Sequence, residues 1–231
     1  MRNFSHMRQR GIAFRLALAG ALIWALTVAE TGLLAAETTA DFRGHVSIWN
    51  SREKPSPRIA LFPKWSGTLN RYFDERKLGD GDCESSFFNR CHLREWSKFL
   101  DSIRNRDRVT QVHEVNRYMN RVRYIVDPRN YGVRDYWATP KEFLSRDGDC
   151  EDYAIAKYLS LRALGFPPSQ LRFVILQDLN LKLAHAILVV SLSDRALVLD
   201  NQIRTVVNAR AIHHYKPIYS INEEFWWLHK S

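Results

Sequence analysis

From Phe62 to about Leu78 the apolar side chains return at helical spacing, with Trp65, Leu69, Tyr72 and Phe73 on one stripe. Trp96, Phe99, Leu100 and Ile103 predict a second helix, and Val109, Val112, Val115, Met119 and Val122 a third that ends before Pro128. In "TPKEF", Thr139 is an N-cap, Pro140 the first helical residue and Glu142 the reciprocal partner, so a short helix runs from Pro140 to about Arg146 and Gly148 can end it. Asp149 then caps another helix, on which Cys150, Ala154, Tyr158 and Leu161 share a face. Gly165 stops it and Pro167-Pro168 seals the break. After that the period drops to two. Residues 171–177, 184–192 and 196–200 read as three strands joined by short polar turns, hence an antiparallel meander. Helices first and sheet second argue an α+β fold.

The first 36 residues follow another pattern. Arg2, Arg8, Arg10 and Arg15 precede an apolar run from Leu16 that closes on Ala35-Ala36, the layout of a secretory signal peptide. An uncleaved membrane anchor is the competing reading, although Glu30 interrupts the run and leaves it short for a span. Residues 37–60 read as a linker or N-terminal extension with one short strand at His45–Trp49, and residues 61–231 as one domain.

Export changes what charge and cysteine content imply. Residues 1–36 hold four Arg and one Glu, so the remainder keeps 30 of the 34 basic and 24 of the 25 acidic residues, a formal +6. Such an excess suits an acidic partner or a membrane surface. Arg117, Arg121 and Arg123 on the third helix form either a solvated basic face or a docking surface for such a partner. No aromatic-basic nucleic-acid module is present, and export argues against nucleic acid as a target. Disulfides persist outside the cytosol, and three cysteines allow one bridge with one thiol left over.

The pentapeptide "DGDCE" occurs twice, at 80–84 and 147–151. Cys83 lies in a loop eight residues before Cys91, and the two are candidates for a local disulfide. Cys150 instead opens a capped helix, where unpaired N–H groups and the positive dipole end favour thiolate and can hold an oxyanion. A cysteine nucleophile needs a base and a group that orients it. If Ser193-Asp194 is a two-residue turn, residue 192 opposes 195 and paired numbers sum to 387. Asp200 then falls opposite Ile187, diagonal to His185 on the same face. A Cys150/His185/Asp200 triad is the result. Asp147, Asp149, Glu151 and Asp152 crowd the helix start. From spacing alone, capping and dipole compensation account for them, and a hard cation such as calcium is the other reading.

"DGDCEDYAIAKYLSLRALG" (147–165), "LRFVIL" (171–176), "AHAILVV" (184–190), "LVLDNQ" (197–202) and the upstream "YWATPKEFL" (136–144) together resemble the bacterial transglutaminase-like cysteine proteinases, in particular periplasmic adhesin proteases, over about residues 62–228. The resemblance implies a papain-like or transglutaminase-like cysteine proteinase fold, with the nucleophile at a helix N-terminus packed on an antiparallel sheet. It also implies Cys150 as nucleophile, His185 as base and Asp200 as orienting group, with calcium as cofactor on Asp149 and Glu151. Asn180 is a further candidate ligand and Trp137 a candidate oxyanion donor. A large surface adhesin is the implied substrate, and the periplasmic domain of an inner-membrane cyclic-di-GMP receptor an implied partner. An acyl transferase on the same triad and a non-catalytic calcium-dependent adaptor are the rival readings.

Overall fold

The computed structural model describes residues 48–78 and 91–230. Residues 1–36, read above as a signal peptide, the first "DGDCE" copy and Cys83 lie outside the described residues. Among them are six α-helices: α1 (Pro63–Leu78), α2 (Cys91–Ile103), α3 (Arg108–Met119), α4 (Asp127–Asn130), α5 (Pro140–Arg146) and α6 (Cys150–Ala163). Seven strands accompany them: β1 (Arg52–Ser56), β2 (Leu171–Asp178), β3 (Leu183–Leu192), β4 (Arg195–Leu199), β5 (Val207–Asn208), β6 (Tyr215–Ile221) and β7 (Trp226–Lys230). They form one antiparallel sheet in the order β1-β7-β6-β2-β3-β4-β5. None of the described helices is long and apolar enough to cross a membrane.

The sheet separates two apolar layers because its strands alternate side chains between faces. On one face Phe173, Leu188, Val190 and Leu199 meet the helices. On the other, Val174, Leu176, Ile187, Val189 and Val198 meet Ile48, Ala209, Ile212 and Tyr215. The centre of the helical layer is α6, buried without interruption from Asp152 to Leu161. It packs on β3, α3 and α5. A helix covered on every side carries apolar residues all round rather than one stripe.

The expected meander is present, and its register is the one the two-residue turn requires. Leu192 faces Arg195 and Leu188 faces Leu199, with Ser193 in the left-handed region at φ 54°. The capping box at Thr139 is also formed. Three expectations are corrected. The third helix does end before Pro128, but already at Met119, so Arg121, Val122 and Arg123 lie beyond it and Arg123 pairs with Asp147 instead of joining a basic helical face. The left-handed residue after α5 is Asp147, at φ 68°, rather than Gly148. Within the stretch read as a linker, Ile48–Asn50 is a 3-10 turn rather than a strand, and Arg52–Ser56 forms an edge strand on β7. Strands β6 and β7 carry no clean alternation. Pro217 lies in β6 where the pairing with β2 shifts register, a bulge that also accommodates the missing N–H.

Candidate active site

Cys150 is the first residue of α6 and is half-buried. Its position follows from the turn before it. Asp147 adopts the left-handed conformation, the Gly148 carbonyl accepts from Ile125 N–H at 2.9 Å, and Asp149 N–H donates to the Asp152 carboxylate at 3.2 Å. The sulfur faces the backbone N–H of Ala186 on β3, the neighbour of His185. It donates to Glu151 Oε2 at 2.9 Å. The helix start alone would favour thiolate. Here burial pushes the Cys150 thiol up, and the Glu151 and Asp149 carboxylates push the same way, with only the Ala186 N–H acting against them. The expected lowering is therefore reversed, first by burial and then by the acids that flank the thiol.

His185 and Asp200 come together as the register demands. His185 Nε2 and Asp200 Oδ1 are 2.9 Å apart, both side chains buried. Asp200 Oδ1 also accepts Gln202 N–H at 2.8 Å, and Oδ2 accepts the Tyr215 hydroxyl at 2.7 Å. Burial raises the Asp200 carboxyl, but the His185 ring, then Tyr215 and Gln202, outweigh it and hold the group below its ordinary value. With Nε2 committed to Asp200, the Nδ1 atom is the one left to exchange a proton. It lies 3.4 Å from the Gln202 amide nitrogen.

Beside the thiol four carboxylates converge. Asp127, Asp149 and Asp152 each present an oxygen within 4.8 Å of the others, and Asp149, Cys150 and Glu151 do likewise. Asp149 is pushed up to about 9, first by burial and then by Glu151, Asp152 and Asp127. Asp127 Oδ2 takes the Tyr136 N–H at 2.5 Å and Asp152 Oδ1 the Ala138 N–H at 2.7 Å. Asp127 Oδ1 and Asp149 Oδ1 are buried without a hydrogen-bond partner among the described residues. Like charges packed this closely, with unpartnered oxygens left over, are a donor set that fits a hard divalent cation. Sequence reading named Asp149 and Glu151 but missed Asp127, which the Tyr124–Gly148 bridge carries across 22 residues of chain. Its Asp-Pro context signals only a helix start. Asp147, from the same acidic run, turns away to Arg123 at 2.9 Å.

The remaining candidates are more scattered. Trp137 is buried, and its Nε1 has no partner among the described residues. The next residue, Ala138, binds the first turn of α6 through Asp152. Asn180 sits in the tight turn before β3, its backbone N–H on Asp178 at 2.8 Å. Cys150 is a free thiol. The suggested Cys83–Cys91 bridge lies outside the described residues.

The family model for bacterial transglutaminase-like cysteine proteinases matches residues 83–229. LapG from Legionella pneumophila, in its calcium-bound form, is 32% identical with a TM-score of 0.57, covering 70% of this chain and 87% of that one. The EGTA-treated form is 36% identical with a TM-score of 0.57, over 62% of this chain and 78% of that one. No functionally curated protein matches. The chain belongs to the bacterial transglutaminase-like cysteine proteinases, a family of cysteine proteases.

Proposed function

We propose that this chain is an exported, calcium-dependent cysteine endopeptidase. It acts in the periplasm and cuts a large surface adhesin near its N-terminal end, which frees cells from biofilm. The observation that carries the reading is a free thiol at the start of α6, set against the strand whose His185 is bound to Asp200. In this reading Cys150 attacks the scissile carbonyl and His185 Nδ1 takes the thiol proton and returns it to the leaving amine. Asp200 fixes the orientation and tautomer of the ring. N–H groups at the start of α6 receive the oxyanion, with Trp137 Nε1 as a second donor. Water then hydrolyses the thioester.

Calcium fits the carboxylates of Asp149, Glu151, Asp127 and Asp152, and the buried unpartnered Oδ1 atoms of Asp127 and Asp149 support the assignment. The calcium-bound and EGTA-treated forms of the Legionella relative support it as well. Bound there, the ion would supply positive charge that offsets the acids, which together with burial hold the thiol neutral. The partner in this reading is the periplasmic domain of an inner-membrane cyclic-di-GMP receptor, which sequesters the protease.

The test is incubation of purified protein with N-terminal adhesin fragments containing a dialanine, with and without EGTA. Cleavage should need both calcium and Cys150. Cleavage by Cys150→Ala, or full cleavage in EGTA, overturns the peptidase or the calcium reading respectively. Product analysis with an added amine separates hydrolysis from acyl transfer.

A further inference from the structure

The buried face of the sheet opposite α6 holds a group that the triad does not account for. Tyr215, at the start of β6, donates its hydroxyl to Asp200 Oδ2 at 2.7 Å and sets its ring edge-on to His185, with centroids 5.9 Å apart. Among the described residues it is the partner of that oxygen, whereas Oδ1 serves both His185 and Gln202. The terminal torsion of an aspartate is broad and two-fold. One donor on each oxygen is what fixes the plane of the carboxylate. Without the hydroxyl, the plane can rotate and carry Oδ1 away from the imidazole.

Tyr215 is itself held from far upstream. Trp49 packs edge-on against its ring at 5.9 Å, and Ile48 lies fully buried in the same cluster. The segment Ile48–Ser56 is fastened by polar groups rather than by apolar area alone. Glu53 Oε2 accepts from Arg172 Nη1 at 2.5 Å and Glu53 Oε1 from Ile48 N–H at 3.0 Å. The Ser51 hydroxyl meets His229 Nδ1 at 2.7 Å, while His229 Nε2 meets the Ser220 hydroxyl at 2.9 Å. Each of these groups leaves a buried partner unpaired if the segment shifts, which holds the segment in this position.

We propose that Tyr215 is a positioning residue for the Asp200–His185 pair and that the N-terminal arm Ile48–Ser56 holds it in place. The inference rests on the peptidase reading for its consequence, but its geometry does not depend on the substrate. The charged and titratable groups that face Asp200 are His185 from β3, Tyr215 from β6 and Lys157 from α6.

The test compares wild type with Tyr215→Phe, Trp49→Ala and Trp49→Phe in calcium, on an adhesin N-terminal fragment. Tyr215→Phe keeps the ring and its packing. It should lower kcat about tenfold with KM within about twofold. The acid limb of kcat should move to higher pH, because Asp200 loses a donor that favours its ionised form. Trp49→Ala should lower kcat in the same direction, and Trp49→Phe should recover most of it. Wild-type kcat and an unmoved acid limb in Tyr215→Phe overturn the inference, even if the melting temperature falls. If wild type cleaves nothing, the peptidase reading fails, and the inference is decided by alkylation of Cys150 with iodoacetamide at pH 7. Tyr215→Phe should slow that reaction several-fold, and an unchanged rate overturns the inference.

Discussion

His185 Nε2 and Asp200 Oδ1 lie 2.9 Å apart, although the ladder between their strands ends at Leu188 opposite Leu199, short of both. The pair is thus set by register, with each residue on the same face just beyond the last paired rung. Asp200→Asn keeps the size and most contacts but replaces an acceptor with an amide that cannot hold the imidazole in the same tautomer. It should leave the melting temperature nearly unchanged and lower kcat by roughly 100-fold or more. Steady-state kinetics on an adhesin fragment is the measurement, and a loss confined to KM would contradict an orienting role.

That pair was legible in the sequence because a two-residue turn leaves little freedom in register. Fixing Leu192 opposite Arg195 also fixes which residues share the face of His185. The start of α6 was legible for a similar reason, since caps are local chemistry. What escaped was non-local. Asp127 reaches Asp149 through a bridge between Tyr124 and Gly148, and Tyr215 reaches Asp200 across the sheet from a strand interrupted by Pro217. The charge state of Cys150 escaped because the helix dipole was weighed without burial, which is the largest influence on the thiol.

Four converging carboxylates destabilise the protein when no cation is bound, so calcium should raise its melting temperature. At 100 times Kd the gain is about 2.7 kcal/mol. Asp149→Ala removes one donor together with a buried carboxyl that, without the cation, must take up a proton to stay among the other acids. The variant should melt above wild type in EGTA, and calcium should not move its transition. Thermal melts with and without EGTA check both halves, and a calcium shift preserved in Asp149→Ala would exclude that residue as a ligand.

Lys157 is fully buried on α6, its Nζ without a hydrogen-bond partner among the described residues, and burial lowers it to about 7 against an opposing pull from Asp200. A base whose folded value lies below its unfolded one weakens the fold most at low pH. The unfolded chain holds the proton from about pH 7 up to about 10.5 while the folded chain releases it, so stability rises with pH across that window. Lys157→Met keeps the volume and removes this dependence. It should be more stable than wild type at pH 6, with an advantage of up to ~5 kcal/mol that shrinks toward pH 9. Denaturant melts at the two pH values test it, and a constant difference would show that Lys157 does not titrate there.

His229 lies between Ser51 and Ser220, and burial, aided by Arg172 and opposed by Glu53, lowers it to about 4 from an ordinary 6.5. Its contribution is fully present above pH 6.5 and is lost as pH falls toward 4, because only the unfolded chain takes up the proton in that range. Wild type should lose ~3 kcal/mol more than His229→Gln between pH 7 and pH 4. Urea melts of the two proteins at both pH values give the difference directly, and parallel losses would remove His229 as the source.

Gly148 is the residue before the caps of α6, and its backbone is not in the left-handed region, so space rather than conformational freedom requires glycine. An added Cβ would lie 2.8 Å from Asp152 Cβ and 2.8 Å from Phe143 Cδ2, and closer still to Asp152 Oδ2. Phe143 is fully buried and cannot yield, so Asp152 must move. Asp152 holds both Asp149 N–H and Ala138 N–H, and its displacement would unfasten the first turn of α6 together with the residue after Trp137. Gly148→Ala should destabilise the fold by roughly 2–4 kcal/mol. At a temperature where the variant remains folded, alkylation of Cys150 by iodoacetamide should differ from wild type, since the thiol sits on that turn. A variant with wild-type stability and wild-type alkylation would mean that the turn can shift without disturbing the thiol.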